Sequence, residues 1–211
     1  MIKIENVVTP SSEQMEAVVR GARNPMNSWD KIDSVFDFDG YYSLGEADLK
    51  LLMKLAKAGT TDSKYRRMLT VYAEITAPLY WWKEYDTYKV GTVANSCSTM
   101  HKIHSKEFTM NDFSIEHLLA PIQDFRPIVD LLNDYRSMFL STGDKKFWWQ
   151  MIQLLPTSYN QKRTVMLNYE VLRNIYKYRR DHRLDEWRDM CRWIDGLPYA
   201  ELITGGQKED E

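Results

Sequence analysis

Across Met68 to Thr76 the side chains alternate with a period of two. Leu69, Val71, Ala73 and Ile75 fall on one side, and Thr70, Tyr72, Glu74 and Thr76 on the other. That pattern predicts a half-buried strand. Pro78 then favours the start of a helix carrying Trp81, Trp82 and Tyr85. Beyond the helix, the segment to Met100 packs cations, a carboxylate, hydroxyls, an amide and a thiol close to this aromatic surface. An ordinary core segment would not place so many polar groups there, so the strand, turn and helix read as a frame for a ligand-facing segment.

The flanking sequence supplies the rest of the frame. Ile2, Ile4 and Val7 suggest a short opening strand. Ser11 with Gln14 forms a capping box before the stripe Met15, Val18, Val19 and Ala22. Residues 24–43 read as a loop. Ser43 with Glu46 opens a second helix, along Leu44, Leu51, Leu52 and Leu55, that stops at Gly59. Helices follow over 114–141, with a break expected near Pro127, and over 145–155. A second strand is expected at 163–167, then a helix through Val171, Leu172, Ile175, Tyr176 and Arg179, and another through Leu184, Trp187, Cys191 and Ile194. Residues 1–203 are expected to form a single domain, and the polar stretch 204–211 a disordered tail.

A chain of 211 residues can bury a core without disulfides or metals. Its net charge of −2 argues against a general nucleic-acid binder. Cys97 and Cys191 form no disulfide framework and no metal-ligand spacing, and no apolar run approaches a membrane span. The expectation is a soluble cytoplasmic protein.

The segment Ala77–Met100 resembles the substrate-binding signature of the flavin-dependent thymidylate synthases. Other features occur in the same order as in that family. Ala22-Arg23 precedes an aromatic loop, Leu52–Gly59 is similar to a family helix end, and Ser63-Lys64-Tyr65-Arg66-Arg67 occupies a flavin-contacting motif with Arg67 at its histidine. Leu155-Pro156 is followed by Asn168, Asn174, Arg179 or Arg180, and Trp187. The resemblance implies an α+β fold, an antiparallel sheet flanked by helices, assembled as a homotetramer. It also implies FAD, with NADPH and a folate as co-substrates, and a pyrimidine nucleotide as substrate. On this basis Ser63, Arg67, Asn168 and Asn174 are candidate cofactor contacts. Lys83, Tyr88, Lys89, Thr92, Asn95, Ser98, Arg179 and Arg180 are candidate substrate contacts.

Several substitutions cut across the family chemistry. An ungapped match puts Thr87, Tyr88 and Lys89 on an Arg-His-Arg triplet, Cys97 on a serine and Thr99 on an arginine. A one-residue slip instead puts Asn95 and Ser98 on the family's asparagine and serine. Thr87 and Thr99 remove permanent cations, Lys89 lacks the bidentate fork, and Glu84 sets a carboxylate where a neutral amide is expected. The family arginine before Leu155-Pro156 is also absent. Methylation of deoxyuridylate by the usual route is therefore not expected.

Cys97 and Glu84 are the candidate catalytic groups. A Cys97 thiolate could add to C6 of a pyrimidine with Lys89 lowering its pKa, or Cys97 could be a small packed side chain. Lys83 and Glu84 could equally form a solvated pair. His101 and His104 lack a third ligand and read as surface residues, so no metal is expected. The leading function is a flavin- and nucleotide-binding enzyme-like protein with an altered substrate. The alternative is a non-catalytic descendant that binds a nucleotide or a partner. A weaker third class uses the cationic run 176–183 to bind nucleic acid.

Overall fold

In a computed structural model the residues described are 1–88 and 90–205. The strands are β1 (Lys3–Val8), β2 (Val35–Phe36), β3 (Tyr42–Ser43), β4 (Thr70–Pro78), β5 (Val93–Ser96) and β6 (Asn160–Asn168). The helices are α1 (Ser12–Arg23), α2 (Glu46–Ala58), α3 (Leu79–Tyr85), α4 (Pro121–Thr142), α5 (Lys145–Leu154), α6 (Tyr169–Arg179), α7 (Asp185–Asp195) and α8 (Glu201–Thr204). A four-stranded sheet has the order β1-β4-β6-β5, and β2 and β3 form a separate antiparallel ribbon pairing Val35 with Ser43. The fold is α+β, an antiparallel sheet flanked by helices.

The alternation that predicts β4 is present in the structure. Leu69, Val71, Ala73 and Ile75 are fully buried, while Tyr72 faces outward. The Ser11–Gln14 capping box also forms: the Gln14 N–H donates to Ser11 Oγ at 3.2 Å and the Ser11 N–H to Gln14 Oε1 at 2.9 Å. Three expectations are corrected. The loop over 24–43 contains the β2–β3 ribbon. Gly45, not Ser43, stands at the cap of α2, whose first N–H groups at Ala47 and Asp48 donate to the Asp33 carboxylate instead. And the helix expected over 114–141 begins only at Pro121, with 114–120 outside any helix, and runs unbroken through Pro127. Pro127 deletes one helical donor, but Phe125, Val129 and Leu132 on the buried face hold the helix across that gap.

The described residues group into two compact units. One comprises Met1–Glu5, Glu74–Thr87 and Ala94–Thr164. In it α4 packs on α5 around Ile103, Phe108, Phe113, Phe125, Val129, Leu132 and Met151. Trp81 and Trp82 are buried core residues beside Tyr85, with ring centroids 4.8 Å apart at 75°, so they offer no assembly surface. Trp149 on α5 remains half exposed.

The described residues of the second unit are 6–73, 88, 90–93 and 165–205. Here α6 packs on α7 and α8, and α1 on α2. A buried ion pair ties α1 to α2: Arg23 donates to Asp48 Oδ1 from Nε at 2.9 Å and from Nη2 at 2.6 Å. The other Asp48 oxygen accepts from the Asp33 and Ser34 N–H groups and from Ser34 Oγ. Thr204 closes α8, with Gly205 as its left-handed cap, and residues 206–211 of the expected tail lie outside the described residues.

Candidate functional site

In the second unit, α6 holds the Tyr88–Val93 turn at two points. At its N-terminus, Asn168 is the helix cap. Its Oδ1 accepts from the Val171 N–H at 3.0 Å, and its Nδ2 donates to the Gly91 carbonyl at 3.1 Å. Gly91 has a φ of +78°, and a Cβ there would stand 2.7 Å from Asn168 Nδ2. Thr92 Oγ1 closes the turn by donating to the Tyr88 carbonyl at 3.0 Å. Lys89 lies outside the described residues.

At the last turn of α6, Arg179 Nε donates to the Tyr88 hydroxyl at 3.0 Å. The guanidinium carbon lies 4.9 Å from the centroid of the buried Trp187 ring and 5.7 Å from that of Tyr88, both in cation–π range. The Tyr88 and Trp187 rings meet at 5.8 Å and 62°. Arg180, the next residue, turns to a different surface and lines a cavity of about 300 Å³ with Arg66 and Arg173. Successive helical residues are rotated by about 100°, which separates the two roles. Asn174 is half-buried on α6.

Ser63 and Arg67 flank a short 3₁₀ turn, Lys64–Arg67. Ser63 is buried and its hydroxyl donates to Glu170 Oε2 at 3.4 Å. Arg67 is exposed. Its neighbour Arg66 is buried instead, donating from Nε to the Leu202 carbonyl at 2.7 Å with Nη1 at 3.6 Å from Glu170.

The remaining candidates belong to the first unit. Lys83 is exposed and Glu84 half-buried on α3, and exposed Thr87 donates its hydroxyl to the Glu84 carbonyl at 2.7 Å. Asn95 is exposed on β5. Cys97 extends the β5–β6 pairing: its N–H donates to the Lys162 carbonyl at 2.9 Å, and its carbonyl accepts from Gln161 Nε2 at 2.8 Å. Ser98 Oγ accepts from the His101 N–H at 2.8 Å.

Cys97, Ser98 and Thr99 line a cavity of about 280 Å³ with Lys106, Asp112, Tyr159 and Lys162. Lys106 pairs with Asp112, and this bond together with those from Thr109 holds the Asp112 carboxyl below its ordinary range although burial opposes the shift. Burial pushes the Tyr159 phenol up. Sequence reasoning missed Lys106, Lys162 and Tyr159: Lys162 reaches Cys97 through the β5–β6 pairing, Tyr159 precedes β6 and bridges Phe113, and Lys106 is held by Asp112. It also missed Arg163, which donates to Asp86 Oδ1 at 2.9 Å and lies 4.2 Å over the Trp82 ring. Among the described residues no cluster of three or more His, Cys, Asp or Glu side chains has metal-binding geometry, and no helix is long and apolar enough to cross a membrane.

This fold is similar to several solved structures. A flavin-dependent thymidylate synthase ThyX from Helicobacter pylori, complexed with FAD and dUMP, matches with a TM-score of 0.66 over 96% of this chain and 97% of that one, at 15% identity. Another structure of the Helicobacter pylori enzyme, also with FAD and dUMP, matches at 0.65 over 97% of both chains and 15% identity. A UMP/dUMP methylase PolB from Streptomyces cacaoi, bound with 5-Br dUMP, matches at 0.66 over 92% of this chain and 88% of that one, at 14% identity. The likeness at these identities is one of fold. No family model matches the chain, and no curated protein matches it in sequence.

Proposed function

We propose that this protein binds a pyrimidine nucleotide at the Tyr88–Val93 turn and acts as a divergent, flavin-linked relative of the thymidylate synthases. The observation that carries the reading is the double hold of α6 on this turn, at Asn168 and at Arg179. A phenol that accepts from a guanidinium keeps its own proton to donate. Tyr88 can therefore offer an O–H to a pyrimidine carbonyl or phosphate oxygen beside the Arg179 charge. The fold likeness to proteins solved with dUMP or its bromo analogue supports the same ligand class.

The flavin contacts fit less completely. Ser63 and Asn168 already use their side chains within the unit, on Glu170, Val171 and Gly91. Exposed Arg67 and half-buried Asn174 are the two candidates left for FAD. NADPH and a folate rest on the resemblance alone, and we assign them no residues. A homotetramer and a cytoplasmic location belong to the same proposal.

The engagement of Ser63 and Asn168 also favours a second reading, a non-catalytic nucleotide binder of the same fold. The absorbance spectrum of the purified protein separates the two, followed by calorimetric titration with UMP and dUMP. A flavin spectrum with nucleotide binding supports the first reading. A colourless protein that resists FAD loading yet binds nucleotide supports the second, and absence of nucleotide binding overturns both. Robust methylation of dUMP with FAD, NADPH and folate would overturn the inferred change of substrate or reaction.

A further inference from the structure

Arg173, Tyr176, Lys177 and Arg180 recur at i, i+3, i+4 and i+7 and so share one face at the end of α6. Opposite them stand Met53, Ala56 and Lys57 of α2, Arg66 of the 3₁₀ turn, and Ile203, Thr204 and Gly205 at the close of α8. These residues enclose the cavity of about 300 Å³ within the second unit. Among the described residues five cationic side chains line it, and none of those lining it is acidic.

Glu170 lies 3.6 Å from Arg66, and Asp195 accepts from the Tyr176 hydroxyl. These two carboxylates are fewer than the five cations that line the cavity among the described residues. Arg66 is also almost wholly buried, an expensive position for a guanidinium. Burial pushes its pKa down, and the charge of Arg173 adds to that shift while Tyr65 and Glu170 oppose it. Arg66 and Arg173 both line the cavity, so an anion bound there offsets their mutual repulsion.

We propose that this cavity binds the di- or triphosphate of a small molecule, at a site separate from the Tyr88–Val93 turn. The guanidinium groups of Arg173 and Arg180 match phosphoryl oxygens with paired N–H donors. Buried Arg66, already donating to the Leu202 carbonyl, adds charge from the wall, and Lys57 and Lys177 add mobile point charges. The cavity is larger than one phosphate needs. Its Met53, Ala56 and Ile203 walls and the Tyr176 ring suit an attached organic group. Its place between α2, α6 and α8 favours a small ligand over a nucleic-acid strand.

Calorimetric titration of the full chain tests this with inorganic pyrophosphate and with ADP and UDP, in wild type, the Lys177→Ala/Arg180→Ala double variant and a Lys50→Ala control. Lys50 is an exposed α2 cation that does not line the cavity. Saturable binding is expected in wild type, weakened about tenfold or more in the double variant and retained in the control. Equal affinity for pyrophosphate and the nucleoside diphosphates assigns the site to the phosphates alone. Tighter binding of a nucleoside diphosphate adds a role for the apolar wall. No saturable binding of any of the three, or equal weakening in the control, overturns the proposal. Both altered residues are exposed, and a thermal midpoint near wild type shows that the double variant is folded. Binding of UMP or dUMP is measured separately, so either site can fail alone.

Discussion

Arg179 donates from Nε to the Tyr88 hydroxyl at 3.0 Å while its guanidinium carbon lies 4.9 Å from the centroid of the Trp187 ring. The cation is thus fixed by a hydrogen bond and an aromatic face, and this fixed cation beside a phenol defines the proposed nucleotide site.

Removing the cation should cost more than removing the phenol. Arg179→Ala is expected to weaken UMP or dUMP binding by about 1.5–3 kcal/mol, the range for charge-assisted hydrogen bonds, and Tyr88→Phe by about 0.5–1.5 kcal/mol, the range for neutral ones. Calorimetric titration of both variants checks the order. Unchanged affinity in Arg179→Ala places the nucleotide elsewhere.

Gly91→Ala should destabilise the second unit by about 1–3 kcal/mol, since it adds a Cβ to a left-handed residue 2.7 Å from Asn168 Nδ2. Asn168→Ala should cost about 1 kcal/mol for the lost cap and more for the Gly91 carbonyl it leaves unpaired. Urea unfolding monitored by circular dichroism measures both. A fully stable Gly91→Ala protein would mean that the turn does not rest against the helix cap.

The Asp48 carboxyl sits below its ordinary value of 3.8. Burial would raise it, but hydrogen bonds from Ser34 and Arg23, and from the Ser34 and Asp33 N–H groups, outweigh that effect. A lowered folded pKa gives stability that is complete above the ordinary value and is lost as pH falls through the folded one. Asp48→Asn should therefore cost about 3–5 kcal/mol near neutral pH, because it strands the buried Arg23 charge. It should also flatten the acid limb of the stability profile below about pH 4. Equilibrium unfolding of both proteins across that range measures the slope, and parallel profiles would exclude Asp48 as its source.

Cys97 is exposed, whereas Cys191 is buried and its thiol is pushed up to about 12, chiefly by burial. The native protein should react with one equivalent of a thiol reagent, Cys97→Ser with none, and the unfolded chain with two. Two fast equivalents in the native state would contradict the burial of Cys191.

Most of the frame was legible because it rests on short-range signals. The period-two run announces β4, the Ser11–Gln14 pair announces α1, and the apolar stripe announces α6. β5 gave no such signal because all four of its residues are exposed. The surroundings of Cys97 come from strand pairing across more than sixty residues, which no local pattern encodes. The cationic face of α6 was hidden for another reason. Tyr176 to Arg183 reads as charge scattered around an axis, but the helix ends at Arg179, and only the spacing from Arg173 to Arg180 gathers one face.

Because one amide both caps α6 and grips the Gly91 carbonyl, the 88–92 turn and the first turn of the helix cannot be disturbed independently. A molecule that lifts the turn strains the bond protecting the Val171 N–H, while one that presses the turn down tightens it. Hydrogen exchange at that single amide, away from the Arg179 cation, would therefore register occupancy of the turn. α6 also lines the cationic cavity on another face, so one helix carries residues of both proposed sites.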